Sequence, residues 1–415
     1  MTDAAVVGRL LREYHLRGVQ PEGIRRLTGS VRGTQVSYQV SHDGAPLVIR
    51  AFRADAPVPV QFSGSAAETM AHWVTGRAGT LACLAEAGYP APRPVPSRTG
   101  ELVGVAGPWL TWATSYVAGP ALAPSLDQLR LLGRALALLH AQPFDETGLL
   151  HGQPVPAAGP APGQSSSLAV PPSGADQPVR AQSEGADGPG AGAGAGAAAG
   201  TADSASASGR QDPGRAVPGL AAWHPAAAVA GTLRRLRAIA PMLPGDWRDM
   251  HAAFLATAEA VQRTAPELPE ALVHGDAWPG NAVQPGGRPG GPVMLIDWDT
   301  AGLGLPVLDL GNCLAECHLN SDLPPDRPEA WLVRPDAHRI AAVASGYREV
   351  RELTAAEREL LPAAVRFGAA FVGAIHCEAA LTGGASGPGM DTRLARLRNR
   401  LEISPEVARL ALRHL

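Results

Sequence analysis

The chain runs to 415 residues with a formal charge of −3 and a pI near 6.5, and all 35 of its basic residues are arginine. A hydrophobic fraction of 45% is ordinary for globular protein and the length suffices for a two-lobed enzyme, while the near-neutral charge and lack of any long basic run exclude nucleic acid and anionic membrane as electrostatically selected partners. Cys83, Cys313, Cys317 and Cys377 are too few and too scattered for a disulfide framework, so a reducing compartment is the expectation.

The first residues lack the charged and apolar regions of a signal peptide, and no stretch of 18 apolar residues occurs; the expected location is the cytoplasm, with no membrane partner. Val6, Val7, Leu10, Leu11 and Tyr14 recur at helical spacing and predict an amphipathic first helix ending near Gly18. Strand-like runs follow over residues 23–27, 35–40 and 47–52, the last two separated by the turn signal His42-Asp43-Gly44. Between the first two lies Thr28-Gly29-Ser30-Val31-Arg32-Gly33-Thr34. Gly29 and Gly33 would let the backbone approach phosphates closely, or the segment is a plain hairpin turn.

A helix is expected over residues 66–87 and a strand over 109–117. Leu129, Leu132, Leu136 and Leu139 form a helical stripe ending in His140, which reads as core. From 152 to 218 the composition collapses to Gly, Ala, Pro and Ser. Such a segment buries too little apolar surface to offset its ordering entropy, so a disordered insert is expected. Closing a longer loop costs only about 0.6 kcal/mol per doubling of length, so a passive insert is tolerable there.

Helical patterns resume near Ala226 and lead to Leu272-Val273-His274-Gly275-Asp276-Ala277-Trp278-Pro279-Gly280-Asn281, then Val293-Met294-Leu295-Ile296-Asp297-Trp298-Asp299. Kinase chemistry needs a carboxylate to orient and deprotonate the attacking hydroxyl, an amide oxygen five residues later on a divalent metal, and a second carboxylate at the end of a buried strand. Asp276, Asn281 and Asp297 meet that pattern, with H-x-D-x-x-x-x-N as the catalytic-loop spacing and residues 293–296 as the buried strand. The chain has four asparagines, and one falls on the metal-ligand position. No G-x-x-x-x-G-K-[ST] is present, which argues against a P-loop kinase. Cys313, Cys317 and His318 could be proposed as metal ligands, but two cysteines four apart on a core-facing helix account for them more simply.

At these residues the chain resembles the aminoglycoside phosphotransferase (APH) and choline kinase-like phosphotransferase family, in which His-Gly-Asp replaces the protein kinases' His-Arg-Asp. The resemblance implies an α+β, bilobal, protein-kinase-like fold. Its small lobe would carry an antiparallel sheet and a helix, and its large lobe would be mainly helical. On that plan residues 1–117 are the nucleotide-binding lobe, 118–151 the hinge and first large-lobe helix, 152–218 the insert, and 219–415 the catalytic and substrate lobe. It also implies ATP or GTP as donor, Mg2+ on Asn281 and Asp297, Asp276 as base, and a metabolite or aminoglycoside-type antibiotic as hydroxyl acceptor. No protein partner is inferable.

Arg50 falls where the family places a phosphate-binding lysine, and arginine can clamp phosphate oxygens bidentately. The helical glutamate that would pair with that cation falls near Arg77. Either Glu68 takes the role from a shifted helix or the pair is missing. Asp309 matches an aspartate with a structural role near the catalytic loop. Asp299 would approach a second metal or cap the loop. From Leu308 onward about 14 acidic and 13 basic residues balance, a weak pointer to a neutral or zwitterionic acceptor. The rival expectation is a nucleotide-binding regulator without turnover, prompted by Arg50 and Arg77.

Overall fold

The computed structural model describes residues 3–14, 16, 19, 23–29, 35–42, 45–56, 69–119, 122, 125–143, 225–287, 290–318, 334–381 and 390–415. Gly33, Glu68 and the whole of 152–218 lie outside the described residues. The chain divides into two compact units, residues 156–215 and the remainder; all described structure belongs to the remainder.

Helix α1 (Asp3–Glu13) is followed by strands β1 (Ile24–Gly29), β2 (Gln35–His42) and β3 (Ala45–Arg53). Then come α2 (Met70–Glu86), β4 (Pro94–Val95), β5 (Val103–Ala106) and β6 (Trp109–Ser115). The strands form one antiparallel sheet in the order β1-β2-β3-β6-β4, with β5 also on β6. Strand alternation sorts the side chains. Val36, Tyr38, Val40, Ile49 and Ala51 pack with Leu10 of α1 and with Tyr14 just after it. Phe52 and Trp112 pack with Met70, Trp73 and Val74 of α2. Arg50, in phase with Phe52, therefore lies toward α2 and the large lobe, its guanidinium 6.0 Å from the Trp112 ring centroid.

Several boundaries differ from the sequence expectation. A register shift between Arg26 and Thr28 lets β1 continue to Gly29, beyond the expected stop at Leu27. Helix α2 starts at Met70, where the Thr69 side chain caps it by accepting from His72 N at 3.3 Å. The expected run 293–296 is ordered as strand only over Met294 and Leu295, because its partner strand is equally short.

The large lobe contains α3 (Leu126–His140), α4 (Pro225–Ile239), α5 (Arg248–Thr264), β7 (Ala271–Val273), β8 (Ala282–Val283), β9 (Met294–Leu295) and β10 (Gly302–Gly304). It continues with α6 (Pro306–Glu316), α7 (Ala337–Arg348), α8 (Ala355–Leu381) and α9 (Met390–Ala411). The leucine stripe of α3 is fully buried. Helices α3 and α7 touch backbone to backbone at Gly346, where any Cβ would collide with the Arg130 carbonyl. Thr354 and Glu357 form a reciprocal capping box at the start of α8. Cys313 and Cys317 are buried on and just after α6, as a core role requires.

Candidate active site

Two small ladders bring the motif residues together. Strand β8 pairs with β9, Ala282 opposite Leu295, and Ile296 N continues the ladder by donating to Asn281 O at 2.9 Å. Asn281 is thereby set beside the residue that precedes Asp297. Strand β7 pairs with β10, Val273 opposite Gly302, which lays Thr300 along the His274 loop. Thr300 Oγ1 donates to His274 O at 2.8 Å. Gly275 adopts φ +80°, and a Cβ there would sit 2.5 Å from Thr300 O, so the position accepts only glycine.

Asn281 Nδ2 donates to the Asp276 carboxylate at 2.7 Å and to the Asp276 carbonyl at 3.0 Å. Burial pushes the Asp276 carboxyl up to about 7, with further upward pressure from Asp297 and Glu316. That value suits a group that exchanges a proton near neutrality. Asp297 has φ +67°, the one non-glycine residue with positive φ among the described residues. Backbone strain of this kind is worth about 1–3 kcal/mol and persists where the surroundings fix it.

Arg50 reaches across from the small lobe to both carboxylates after β9. Its Nη1 lies 2.8 Å from Asp297 Oδ1 and 2.5 Å from Asp299 Oδ1. Gln35, the first residue of β2, donates to Asp299 Oδ2 at 2.7 Å. Arg77 is buried on α2, its guanidinium 4.9 Å from the Trp73 ring centroid, and its Nε donates to Asp299 O at 3.4 Å. The cation of β3 is thus partnered by the Asp-Trp-Asp segment, and the residue at the glutamate position is a second cation facing that same segment. Gly29 closes β1 opposite Val36.

Asp309 holds the 274–281 loop from behind. It accepts from His274 N at 2.7 Å and Gly275 N at 3.1 Å. His140 Nε2 lies 3.1 Å from Asp309 Oδ2, and His140 Nδ1 lies 2.8 Å from the Tyr347 hydroxyl. Arg351 donates to that hydroxyl at 3.0 Å and to Glu357 at 2.7 Å. Burial works to raise the Asp309 carboxyl, but the hydrogen bonds it makes with His140 and with the His274 N–H outweigh it and hold the group below its ordinary range. Burial pushes both His140 and His274 down, favouring neutral rings. His274 Nε2 meets Ile296 O at 2.9 Å, a loop-holding contact.

A family model described as the phosphotransferase enzyme family, APH, matches residues 34–353, more than three quarters of the chain. The chain belongs to that family. No curated protein matches this phosphotransferase's sequence. Among solved structures it is similar to the amicoumacin kinase hAmiN in complex with AMP-PNP, Ca2+ and Ami, with 13% identity, TM-score 0.56 and coverage of 98% of this chain and 94% of that one. It is similar to the spectinomycin phosphotransferase APH(9)-Ia in complex with ADP and spectinomycin, with 11% identity, TM-score 0.54 and coverage of 100% and 99%. A choline/ethanolamine kinase family protein from Mesorhizobium loti has 15% identity, TM-score 0.51 and coverage of 99% and 97%. At these identities the likeness is one of fold, and that fold is the bilobal, protein-kinase-like α+β architecture expected from the motifs.

Sequence reasoning missed Gln35, Tyr347 and the destination of Arg77 in this phosphotransferase. Gln35 carried one usable signal, its place directly after the glycine-containing loop. Tyr347 carried none, since a tyrosine on a helix most often marks core. Among the described residues no helix is long and apolar enough to cross a membrane, and no three His, Cys, Asp or Glu side chains converge as a metal site.

Proposed function

We propose that this phosphotransferase moves the γ-phosphate of ATP or GTP to a hydroxyl of a small molecule in the cytoplasm. The observation that carries the reading is the hydrogen-bonded Asp276–Asn281 pair beside an Asp297 already engaged by a small-lobe cation. Residues 1–117 form the nucleotide lobe, 118–151 the hinge and first helix, 152–218 the insert and 219–415 the catalytic and substrate lobe.

Asp276 orients the acceptor hydroxyl and takes its proton. Asn281 and Asp297 are oxygen donors of the kind Mg2+ prefers, and Mg2+ is commonly held by one or two side chains plus substrate phosphates rather than by an all-protein cage. Bound there, Mg2+ supplies charge neutralisation between the phosphates. Arg50, with the Gly29 to Gly33 backbone, steadies the phosphate oxygens, and Arg77 adds positive potential behind Asp299. His274 and Asp309 position the loop and take no proton from substrate.

A regulator without turnover is not favoured, because the chain belongs to a phosphotransferase family and keeps Asp276, Asn281 and Asp297 together. The test is magnesium-dependent transfer of label from ATP and GTP to pooled metabolites and antibiotics, with Asp276→Ala beside the wild type. Transfer that drops by about 10²–10⁴ in Asp276→Ala, with nucleotide binding retained, is the expected outcome. Equal transfer by both proteins removes Asp276 from the role.

A further inference from the structure

Beside Asp276 the large lobe opens into a cavity of about 270 Å³. Most of its wall is carbon, from Leu305 and Leu308 at the start of α6 and from Phe367, Phe371 and Val372 on α8. Among the described residues, the polar side chains on its surface are Asp276, Thr300, Asp309 and Asn312. Two of these are committed elsewhere: Thr300 Oγ1 to His274 O, and Asp309 to the loop N–H groups and His140. Asn312 is oriented by Arg400, whose Nη2 donates to Asn312 Oδ1 at 3.3 Å.

A further acid that acts on Asp276, Glu316, does not offer a cation a free partner. It is buried and held by Arg396 at 3.0 Å and Arg400 at 2.5 Å. Apart from Asp276, the carboxylates around this cavity among the described residues are thus all neutralised or bonded. A polyammonium body entering here would find Asp276 alone to pair with, and its further charges would lose their hydration without gaining ion pairs, which hydrocarbon contacts do not offset. An apolar cavity of about 150 Å³ already takes a benzene ring, so this one has room for a larger body.

We infer that the acceptor carries an uncharged, largely hydrocarbon body of one or two rings that fills this cavity and presents its hydroxyl to Asp276, with Asn312 as second polar contact. Aminoglycoside-like polycations are then disfavoured acceptors. This rests on the proposed phosphoryl transfer at Asp276, so binding and turnover are read separately.

Binding of 2-phenylethanol, choline and kanamycin to the full chain is measured by calorimetry, with wild type, Leu308→Trp and Phe371→Ala in parallel and thermal melting to confirm folding. The expected result is a Kd for 2-phenylethanol at least about 10-fold below those of both cations. Its binding should weaken by about 10-fold or more when the indole of the Leu308→Trp variant fills the cavity or when Phe371→Ala removes part of the wall, a size of effect usual for hydrophobic pockets. Phe371→Ala alone decides the matter if Leu308→Trp does not fold. Tighter binding of choline or kanamycin, no binding of 2-phenylethanol, or binding indifferent to the variants overturns the inference. Transfer from MgATP to the same compounds addresses the chemistry. Selective 2-phenylethanol binding with no transfer to any hydroxyl supports the cavity's selectivity and counts against phosphoryl transfer; transfer to choline in preference to 2-phenylethanol does the reverse.

Discussion

On the large-lobe side of the candidate site Asp309, His140 and Tyr347 form a buried chain that ends on two backbone N–H groups of the 274–281 loop, whereas on the small-lobe side Arg50, Gln35 and Arg77 converge on a segment whose Asp297 is half-exposed. The first arrangement is dry and every member has a partner, so removing one leaves others unsatisfied in a low-dielectric interior. The second is ionic and meets solvent at Asp297, where an exposed pair exchanges partners cheaply, although Arg77 is buried and Arg50 and Asp299 are largely so. The contrast assigns permanence to the loop that carries Asp276 and adjustability to the groups proposed to meet nucleotide and metal.

Asp309→Ala should break this contrast most severely. It strands two buried N–H groups and His140, at a cost of about 3–5 kcal/mol, read as a large fall in melting temperature together with lost transfer. A variant that melts normally would show that the loop does not depend on the chain of bonds behind it.

Acid should act through the same side. His140, His274 and His318 are all held below their ordinary value by burial, His318 down to about 4. Below about pH 6.5 these histidines bind more protons in the unfolded state than in the folded one, so the stability they contribute is complete above that pH and is lost as pH falls, opposed in part by Asp276, whose raised carboxyl takes its proton earlier in the folded state. The decline is about 1.4 kcal/mol per pH unit for each histidine that stays neutral. A melting temperature that is flat between pH 7 and 5 would contradict this.

Arg50→Ala tests the ionic side. Loss of charged hydrogen bonds worth about 1.5–3 kcal/mol predicts a nucleotide KM raised roughly 10- to 150-fold, with a fall in melting temperature because the largely buried Asp299 loses its cation. Arg50→Lys should recover part of it, through a point charge in place of the fork. If nucleotide affinity is indifferent to both variants, Arg50 serves only to tie the lobes. The smallest effect is expected at Arg130, an exposed partner of Glu349. Its replacement by alanine should stay within about 1 kcal/mol and leave transfer unchanged.

What could be read in advance follows from range. His274 to Asn281 is a local motif, its spacing set by one loop, and it was legible. So were the β2 and β3 alternation and the α3 leucine stripe, each a periodic run. Of the short strands, β9 was legible within the apolar run 293–296, whereas β7, β8 and β10 were not, since two or three residues carry no period and exist only because a partner ladder selects them. Arg77 stood out as a departure, yet its contact with Asp299 spans 222 residues and no pattern on α2 announces it. Gly33, Glu68 and the 152–218 insert fall outside the described residues.

The buried chain also has a genealogy in the sequence order. His140 closes α3 ahead of the 156–215 unit, while Asp309 and Tyr347 come after it. A chain cut within 156–215 would leave one fragment with the imidazole and another with the carboxylate, the phenol and Asp276. Neither piece alone can brace the loop, so the two should regain transfer only when co-expressed, a property that would make the protein a ready reporter of whatever two partners are fused to its halves.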